Sequence, residues 1–279
     1  MDKILAPTDF STNSKRGMRF AMQWATQQKL EIVYLHVYHP VSYPNWTEKE
    51  FELNSGRQAA KLRIQLRKFV ENLYKTTHVK PGKYSCVVIQ GLLSADLDIM
   101  DYCRKAGDIR YICMSTRGAG RIDKFFGTHT GTLITSSEVP VIAVPKNYRK
   151  TALNAMLYAS DFKNYSRELK KVVAFARPLH AKINVFHLNS GNEKGAGNSQ
   201  IENEIKNEFG NDIKLFIRDK NTNQSLTHIL QNKSFSPKSS LIIMFTDQKR
   251  NILKKLISRS KTEKLSFTTR IPLLAFHKD

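Results

Sequence analysis

The chain has 279 residues, of which 41% are hydrophobic and 25% are charged. This composition is typical of a globular protein and excludes a mainly disordered chain, a collagen-like repeat and a coiled coil. The length favours one large or two small domains. The formal net charge of +21 stands out. Such an excess of lysine and arginine favours contacts with phosphates, nucleic acid or anionic lipid, and a basic solvated surface explains it equally well.

The cysteines and the apolar runs bear on compartment and membrane contact. Cys86, Cys103 and Cys113 are too few for a disulfide framework, and no Cys or His spacing matches a zinc site. Cys86 and Cys113 lie in apolar runs, where buried inert thiols are expected. No run approaches the ~18 apolar residues of a membrane helix, and the first residues lack the apolar core of a signal peptide. We therefore expect a cytoplasmic protein with no membrane span and no metal site.

Strand-like and helix-like segments alternate along the first half of the chain. The predicted strands are residues 3–8, 30–38, 83–90, 109–115 and 140–145, and the predicted helices are residues 12–28, 48–77, 94–106 and 128–137. Continuous apolar strands such as the run YICM need helices on both faces of a sheet. The alternation predicts an α/β fold with a doubly wound, Rossmann-like parallel sheet. Such sheets bind ligands at the carboxyl ends of their strands, near the topological switch point.

Two of the predicted helices carry local signals. Ser11 is expected to cap the first helix. The helix over 48–77 has an apolar face at helical spacing, and most of its basic residues fall elsewhere: Arg57, Lys61, Arg63, Arg67 and Lys68. A solvated face is the favoured interpretation of this cluster, and polyanion binding is the alternative.

The second half of the chain repeats the pattern of the first. Asp9 and Asp161 each end a short apolar run and precede a phenylalanine, and the closing runs VPVIAVPK and IPLLAFHK match. The repeat is the size of a whole domain, which indicates a tandem duplication. We expect two five-stranded domains of the same fold, at residues 1–146 and 152–279.

A glycine-rich segment, residues 113–131, follows a predicted buried strand. Gly127 and Thr128 open a helix, whose first amide groups lack partners and, together with the helix dipole, form an anion site. Thr128 and Thr130 add hydroxyl donors, and nearby arginine and lysine residues add positive charge. The segment predicts a phosphate-binding loop, and the alternative is a long surface loop that needs glycine only for its turns.

Familiar phosphate and catalytic motifs are missing from the sequence. There is no GxxxxGK[ST] motif, and the dinucleotide fingerprint fails because Asp123 replaces its third glycine. His129 is a candidate catalytic histidine, but a helix cap is the favoured interpretation of a polar residue at the start of a helix. Asp123 is a candidate for activating a water molecule, but only its position supports this role. A solvated loop carboxylate is the favoured interpretation. We therefore expect a binding protein and no enzymatic activity.

The order and spacing of several segments resemble the universal stress protein family over essentially the whole length. The segments that carry the resemblance are ILAPTDFS, YLHVY, the glycine after VVIQ, GDIRYICMSTRGAG, FFGTHTG and SSEVPVIAVP. The resemblance implies a tandem member with the adenine nucleotide alpha hydrolase-like fold, in which each domain has five parallel strands between helices. ATP binding is one of two properties that it implies, because many members bind ATP and others bind no nucleotide.

The resemblance also implies roles for individual residues. Asp9 would hold the adenosine end of a nucleotide, and the backbone of Val37 would meet adenine. The phosphates would be surrounded by Gly118, Gly127, Thr128 and Thr130. The match is incomplete, because Ser115 stands where the family motif has its first glycine and the loop is one residue shorter. The serine side chain would lie where the backbone should approach ribose or phosphate. A cap for the first helix is the structural alternative for Asp9.

The second half departs further from the family motif. Arg259 and Ser260 stand at the glycine and hydroxyl positions of the loop, so a large side chain would fill the phosphate space. Asp161 alone argues only for a helix cap. The segment 189–200 is predicted to be a flexible loop before a short helix over 200–209. We expect a degenerate site whose remaining role is structural, through pairing with the first domain as domains pair in family dimers.

The resulting hypothesis is a stress-response regulatory protein that binds ATP, with Mg²⁺ as an accompanying ion, in the first domain only. One alternative is an interaction protein that binds no nucleotide, and another is a sequence-nonspecific polyanion binder. Nucleic acid is the least favoured partner, because the aromatic and basic spacing of an RNA-binding sheet is missing. A homodimer is compatible with the family resemblance.

Overall fold

The computed structural model describes residues 2–116, 128–189, 196–210, 212–219, 239–246 and 270–278. The described residues up to 146 form one compact unit, and those from 147 onward form a second. Each unit is built on a parallel sheet, so the α/β class predicted from the sequence is confirmed.

The first unit contains five strands and four helices among its described residues. The strands are β1 (Lys3–Pro7), β2 (Glu31–Tyr38), β3 (Tyr84–Gln90), β4 (Ile109–Ser115) and β5 (Val141–Val144), and the helices are α1 (Lys15–Gln28), α2 (Glu48–Thr77), α3 (Ala95–Ala106) and α4 (Thr128–Ser136). The strand order is β3-β2-β1-β4-β5, with all neighbours parallel. The order reverses between β1 and β4, which is the switch point where doubly wound sheets bind ligands.

The second unit repeats this topology. Its elements are β6 (Ala155–Ser160), α5 (Tyr165–Ala176), a 3-10 turn (Arg177–Leu179), β7 (Lys182–Asn189), α6 (Ala196–Phe209), β8 (Ile213–Asp219), β9 (Leu241–Thr246) and β10 (Leu273–His277). The strand order is β8-β7-β6-β9-β10, again with parallel neighbours. Its switch point therefore lies between β6 and β9.

Two predicted boundaries are wrong. The first helix begins at Lys15 instead of residue 12, because the Ser11 hydroxyl accepts the N–H of Ser14 and holds a turn ahead of the helix. The segment 189–200 is not a continuous loop, since Asn189 ends β7 and α6 begins at Ala196. Its glycine and asparagine content misled the prediction, because intrinsic propensity is a weak guide once tertiary packing favours a helix.

Helix α1 lies unusually close to β4. Its Met18, Phe20 and Trp24 are buried in the core of the first unit. A Cβ atom on Gly17 would come within 2.9 Å of the Ser115 nitrogen, so only glycine permits this approach. The start of α1 is thereby held against the carboxyl end of β4.

Two of the three cysteines are buried in the core of the first unit. Cys103 and Cys113 are buried, and Cys86 is only half-buried, contrary to the prediction for that thiol. Burial nevertheless raises the pKa of Cys86 to about 11. Among the helices that the structure describes, none has the length and apolar character to cross a bilayer. The described residues contain no cluster of His, Cys, Asp and Glu arranged to hold a metal ion.

Candidate functional site

A cavity of about 140 Å³ lies at the carboxyl edge of the first sheet. It occupies the switch point between β1 and β4. Four residues predicted for the site line it: Asp9, Val37, Ser115 and Thr130. The cavity therefore brings together residues at the carboxyl ends of β1, β2 and β4 and a residue of α4.

The remaining predicted residues lie elsewhere or outside the described chain. Thr128 is the first residue of α4. Gly118 and Gly127 fall outside the described residues, as does Asp123. The described residues therefore include the adenosine side of the predicted site, and the phosphate loop stays a prediction.

Asp9 is held by a local turn and is not a cap of α1, which begins six residues later. Its Oδ1 accepts the N–H of Ser11 at 3.0 Å. Burial is the strongest influence on the pKa of Asp9 and would raise it, but hydrogen bonds from Ser11 and Ser14 hold that pKa below its ordinary value. The side chain is therefore a carboxylate at neutral pH, directed to the cavity edge.

The residue after Asp9 has a strained backbone. Phe10 has φ of 61°, in the left-handed region that bulky side chains avoid. Its ring packs on the imidazole of His36, with centroids 4.4 Å apart. His36 in turn donates from Nδ1 to the carbonyl of Thr8 at 2.8 Å, because a carbonyl can only accept. Strain of this kind costs about 1–3 kcal/mol and persists where the surrounding structure enforces it. The contacts around Phe10 must therefore offset this cost to hold the turn that presents Asp9.

The backbone of Val37 is open toward the cavity. The pairing of β1 with β2 ends at Pro7 and Leu35, and the carbonyl of Leu35 accepts the N–H of Thr8. Backbone groups two residues apart along a strand point to the same side. The N–H and C=O of Val37 thus face the side of β1 beyond its last paired residue.

Gly91 supports this edge of the site. A Cβ atom at Gly91 would come within 2.8 Å of the Val37 Cγ1 and 2.4 Å of the His39 Nε2. The glycine after β3 is therefore required by the packing around Val37, which gives a physical reason for one of the residues that carry the family resemblance.

Ser115 has a structural hydrogen-bonding role. Its Oγ accepts the N–H of Gly17 at 2.7 Å and donates to the carbonyl of Ser14 at 3.3 Å. The hydroxyl is thus bonded to the start of α1, although the residue still lines the cavity. Thr130 is buried, and its Oγ1 donates to the carbonyl of Ser115 at 3.5 Å.

His129 is neither a helix cap nor an isolated imidazole. Its Nδ1 lies 2.7 Å from Oδ1 of Asp96, which is buried at the start of α3. Burial pulls the pKa of Asp96 upward, but hydrogen bonds from His129, Ser94 and Thr132 outweigh it and keep that pKa below its usual value. The pair borders the cavity through His129. Sequence reasoning missed Asp96, because nothing local links two residues that are 33 positions apart.

The model of the universal stress protein family matches residues 1–145, slightly more than half of the chain. The chain belongs to the universal stress protein family. A universal stress protein from Archaeoglobus fulgidus DSM 4304 matches with a TM-score of 0.67 and 15% identity, over 99% of this chain and 96% of that one. One from Pseudomonas aeruginosa UCBPP-PA14 matches with a TM-score of 0.61 and 10% identity, over 99% and 93%. At these identities the likeness shows the fold alone. No curated protein matches the chain.

The second unit of this universal stress protein repeats the turn around Phe10, but the aspartate of the turn has a different partner. Phe162 has φ of 60° and stacks on His187 with centroids 4.0 Å apart, and His187 Nδ1 donates to the carbonyl of Ser160. Asp161, however, accepts a hydrogen bond from Lys278 Nζ at 2.8 Å. It is not a cap of α5, which begins at Tyr165.

The predicted loop of the second unit lies beyond the described end of β9. Arg259 and Ser260, which stand at the glycine and hydroxyl positions of the family motif, fall outside the described residues. The degenerate character of that loop therefore stays a prediction.

Proposed function

We propose that the cavity of the first unit binds an adenine nucleotide, with ATP as the first ligand to test, in a cytoplasmic stress-response protein with a regulatory role. The observation that carries the proposal is the position of Asp9 and the open backbone of Val37 on one cavity at the switch point. Switch-point crevices of doubly wound sheets are where nucleotides bind.

The two groups match the two parts of adenosine. Adenine presents a donor amino group beside a ring-nitrogen acceptor, and the N–H and C=O of Val37 can pair with both. The Asp9 carboxylate has about four acceptor positions, and the N–H of Ser11 takes one of them. It can therefore accept hydrogen bonds from ribose hydroxyls.

The phosphates would extend toward the start of α4. The first amide groups of a helix lack partners inside the helix and favour anions. Thr128 opens this nine-residue helix, and Gly118 and Gly127 are proposed to surround the phosphates on the basis of the family resemblance. Mg²⁺ would enter with the nucleotide, since it is usually held by substrate phosphates together with few protein ligands.

We further propose binding without catalysis, and binding in the first unit only. The described residues that line the cavity include one imidazole, His129, whose Nδ1 is occupied by Asp96. In the second unit the aspartate that corresponds to Asp9 is paired with a lysine of its own unit. A ligand would have to displace that lysine before it met the carboxylate.

Isothermal titration of the full chain with ATP, with and without Mg²⁺, tests the proposal. We expect one site per chain. The variant Asp9→Asn should bind at least about tenfold more weakly, because a hydrogen bond to a charged group contributes roughly 1.5–3 kcal/mol. Asp101→Asn, at a half-exposed position on α3, is the matched control and should bind as the wild type does. The absence of both heat and a rise in Tm at millimolar ATP would contradict the proposal.

The outer face of α2 favours a second candidate function, sequence-nonspecific polyanion binding. Arg57, Lys61, Arg63 and Lys68 are exposed. None of these four forms an ion pair within the part of the chain that the structure describes, whereas Lys83 and Lys105 do. Affinity for duplex DNA should then fall steeply with salt and drop in Arg57→Glu/Lys61→Glu. No gel shift at low salt would eliminate this function.

A further inference from the structure

The side chain of Lys278 crosses the switch point of the second unit. Its backbone N–H donates to the carbonyl of Thr246, at the end of β9. Its Nζ lies 2.8 Å from Oδ2 of Asp161, which follows β6. Lys278 follows β10, so its ammonium group reaches across the carboxyl end of β9 toward the turn after β6. In the first unit the corresponding edge, between β4 and β1, is the site of the cavity.

A second carboxylate faces the same ammonium group. Oε1 of Glu168 lies 3.4 Å from Lys278 Nζ. The other oxygen of Glu168 accepts the hydroxyl of Tyr158, and Ser160 donates to that hydroxyl at 3.0 Å. The side chains of Lys278 and Glu168 are only 9% and 6% exposed. The cluster is thus a buried cation held by two acids, with a supporting hydroxyl network.

The first unit has the equivalent lysine and the equivalent aspartate, but the described lining of its cavity has no second acid. Lys146 follows β5 as Lys278 follows β10, and it is exposed. Asp9 is the one acidic side chain among the described residues that line the cavity of the first unit, and none of those residues corresponds to Glu168. The crevice that holds its lysine therefore has a second buried acid, Glu168, which the described lining of the first cavity lacks.

The electrostatics agree with this geometry. Burial is the strongest influence on the pKa of Asp161 and would raise it, but the hydrogen bond from Lys278 and the N–H of Lys163 bring that pKa below its ordinary value. Burial raises the pKa of Glu168, and neither Tyr158 nor Lys278 fully offsets it. Buried carboxylates are stable only when paired and hydrogen-bonded, so the crevice requires a cation.

We propose that the second crevice is a binding site for a primary ammonium group, filled from within by Lys278. The second unit therefore needs no external ligand to hold the turn that carries Asp161. The lysine takes the place that a soluble cation would otherwise occupy.

Chemical rescue of Lys278→Ala tests this site. Thermal unfolding is followed in methylammonium chloride and, at equal ionic strength, in tetramethylammonium chloride, which has no N–H donor. We expect the variant to lose about 5–15 °C in Tm, as for a broken buried ion pair. Methylammonium should restore at least half of the loss and tetramethylammonium should restore none. Lys146→Ala should neither lose Tm nor respond to either salt.

An unchanged Tm in Lys278→Ala would overturn the proposal, as would equal effects of the two salts. If Lys278→Ala does not fold, the triple variant Lys278→Met/Glu168→Gln/Asp161→Asn, which removes the charges of the lysine and of both acids, decides the question. Its folding would support the proposal, and its failure to fold would oppose it. Neither measurement involves a nucleotide, so the outcome is separate from that of the ATP titration.

Discussion

The buried carboxylate of Asp96 holds the imidazole of His129 at 2.7 Å, joining the start of α3 to the start of α4. The two residues thereby fix the first turn of α4 beside the cavity. Since α4 is proposed to present its unpaired amide groups to a phosphate, Asp96 positions the anion side of the site without touching the ligand.

Asp96→Asn should destabilise the protein at neutral pH. Removal of a charged partner costs about 1.5–3 kcal/mol when the other partner is hydrogen-bonded to it. The pKa of Asp96 is lowered from its ordinary value of 3.8, so its contribution is complete above that value and is lost as the pH falls through the lower, folded-state pKa. Urea unfolding at pH 7 should therefore separate wild type from variant, and the difference should shrink below pH 4.

The control for this pH dependence is Asp101→Asn on the same helix. Asp101 pairs with Lys105 at the surface, and exposed pairs contribute little to stability. Equal effects of the two substitutions at pH 7 would show that Asp96 has no special role in holding α4.

The sequence could predict the elements of the site that follow directly from strand patterns. Asp9 and Val37 are predictable because each lies at the carboxyl end of a recognisable apolar run, and parallel strands bring those ends to one edge. The start of α1 was misplaced, because the side chain of Ser11 competes with the helix for a backbone N–H. No sequence pattern could pair Lys278 with Asp161, since 117 positions separate them and the pairing depends on the place of β10 in the sheet, two strands from β6.

Gly17→Ala should destabilise the first unit, although alanine is the better helix former. The new Cβ would meet backbone atoms of Met114 and Ser115 at 2.9 Å, and overpacking of this kind costs about 1–3 kcal/mol. Gly56→Ala is the matched control, because nothing lies within 4 Å of its Cβ on exposed α2. That variant should gain up to about 1 kcal/mol. Chemical denaturation measures the free energy of unfolding of both variants. A stabilised Gly17→Ala would show that α1 can move away from β4.

Ser115→Gly restores the residue that the family motif has at this position, and it separates two interpretations of the serine. If the side chain obstructed the ligand, the variant would bind ATP more tightly. The Ser115 hydroxyl is instead bonded to Gly17 and Ser14 of the α1 start. We therefore expect no tighter binding, together with a loss of about 0.5–1.5 kcal/mol in stability for the missing hydrogen bonds. Titration calorimetry and urea unfolding of the same preparation measure both quantities. A gain in ATP affinity would mean that the serine narrows the site, even though its hydroxyl is directed toward the helix.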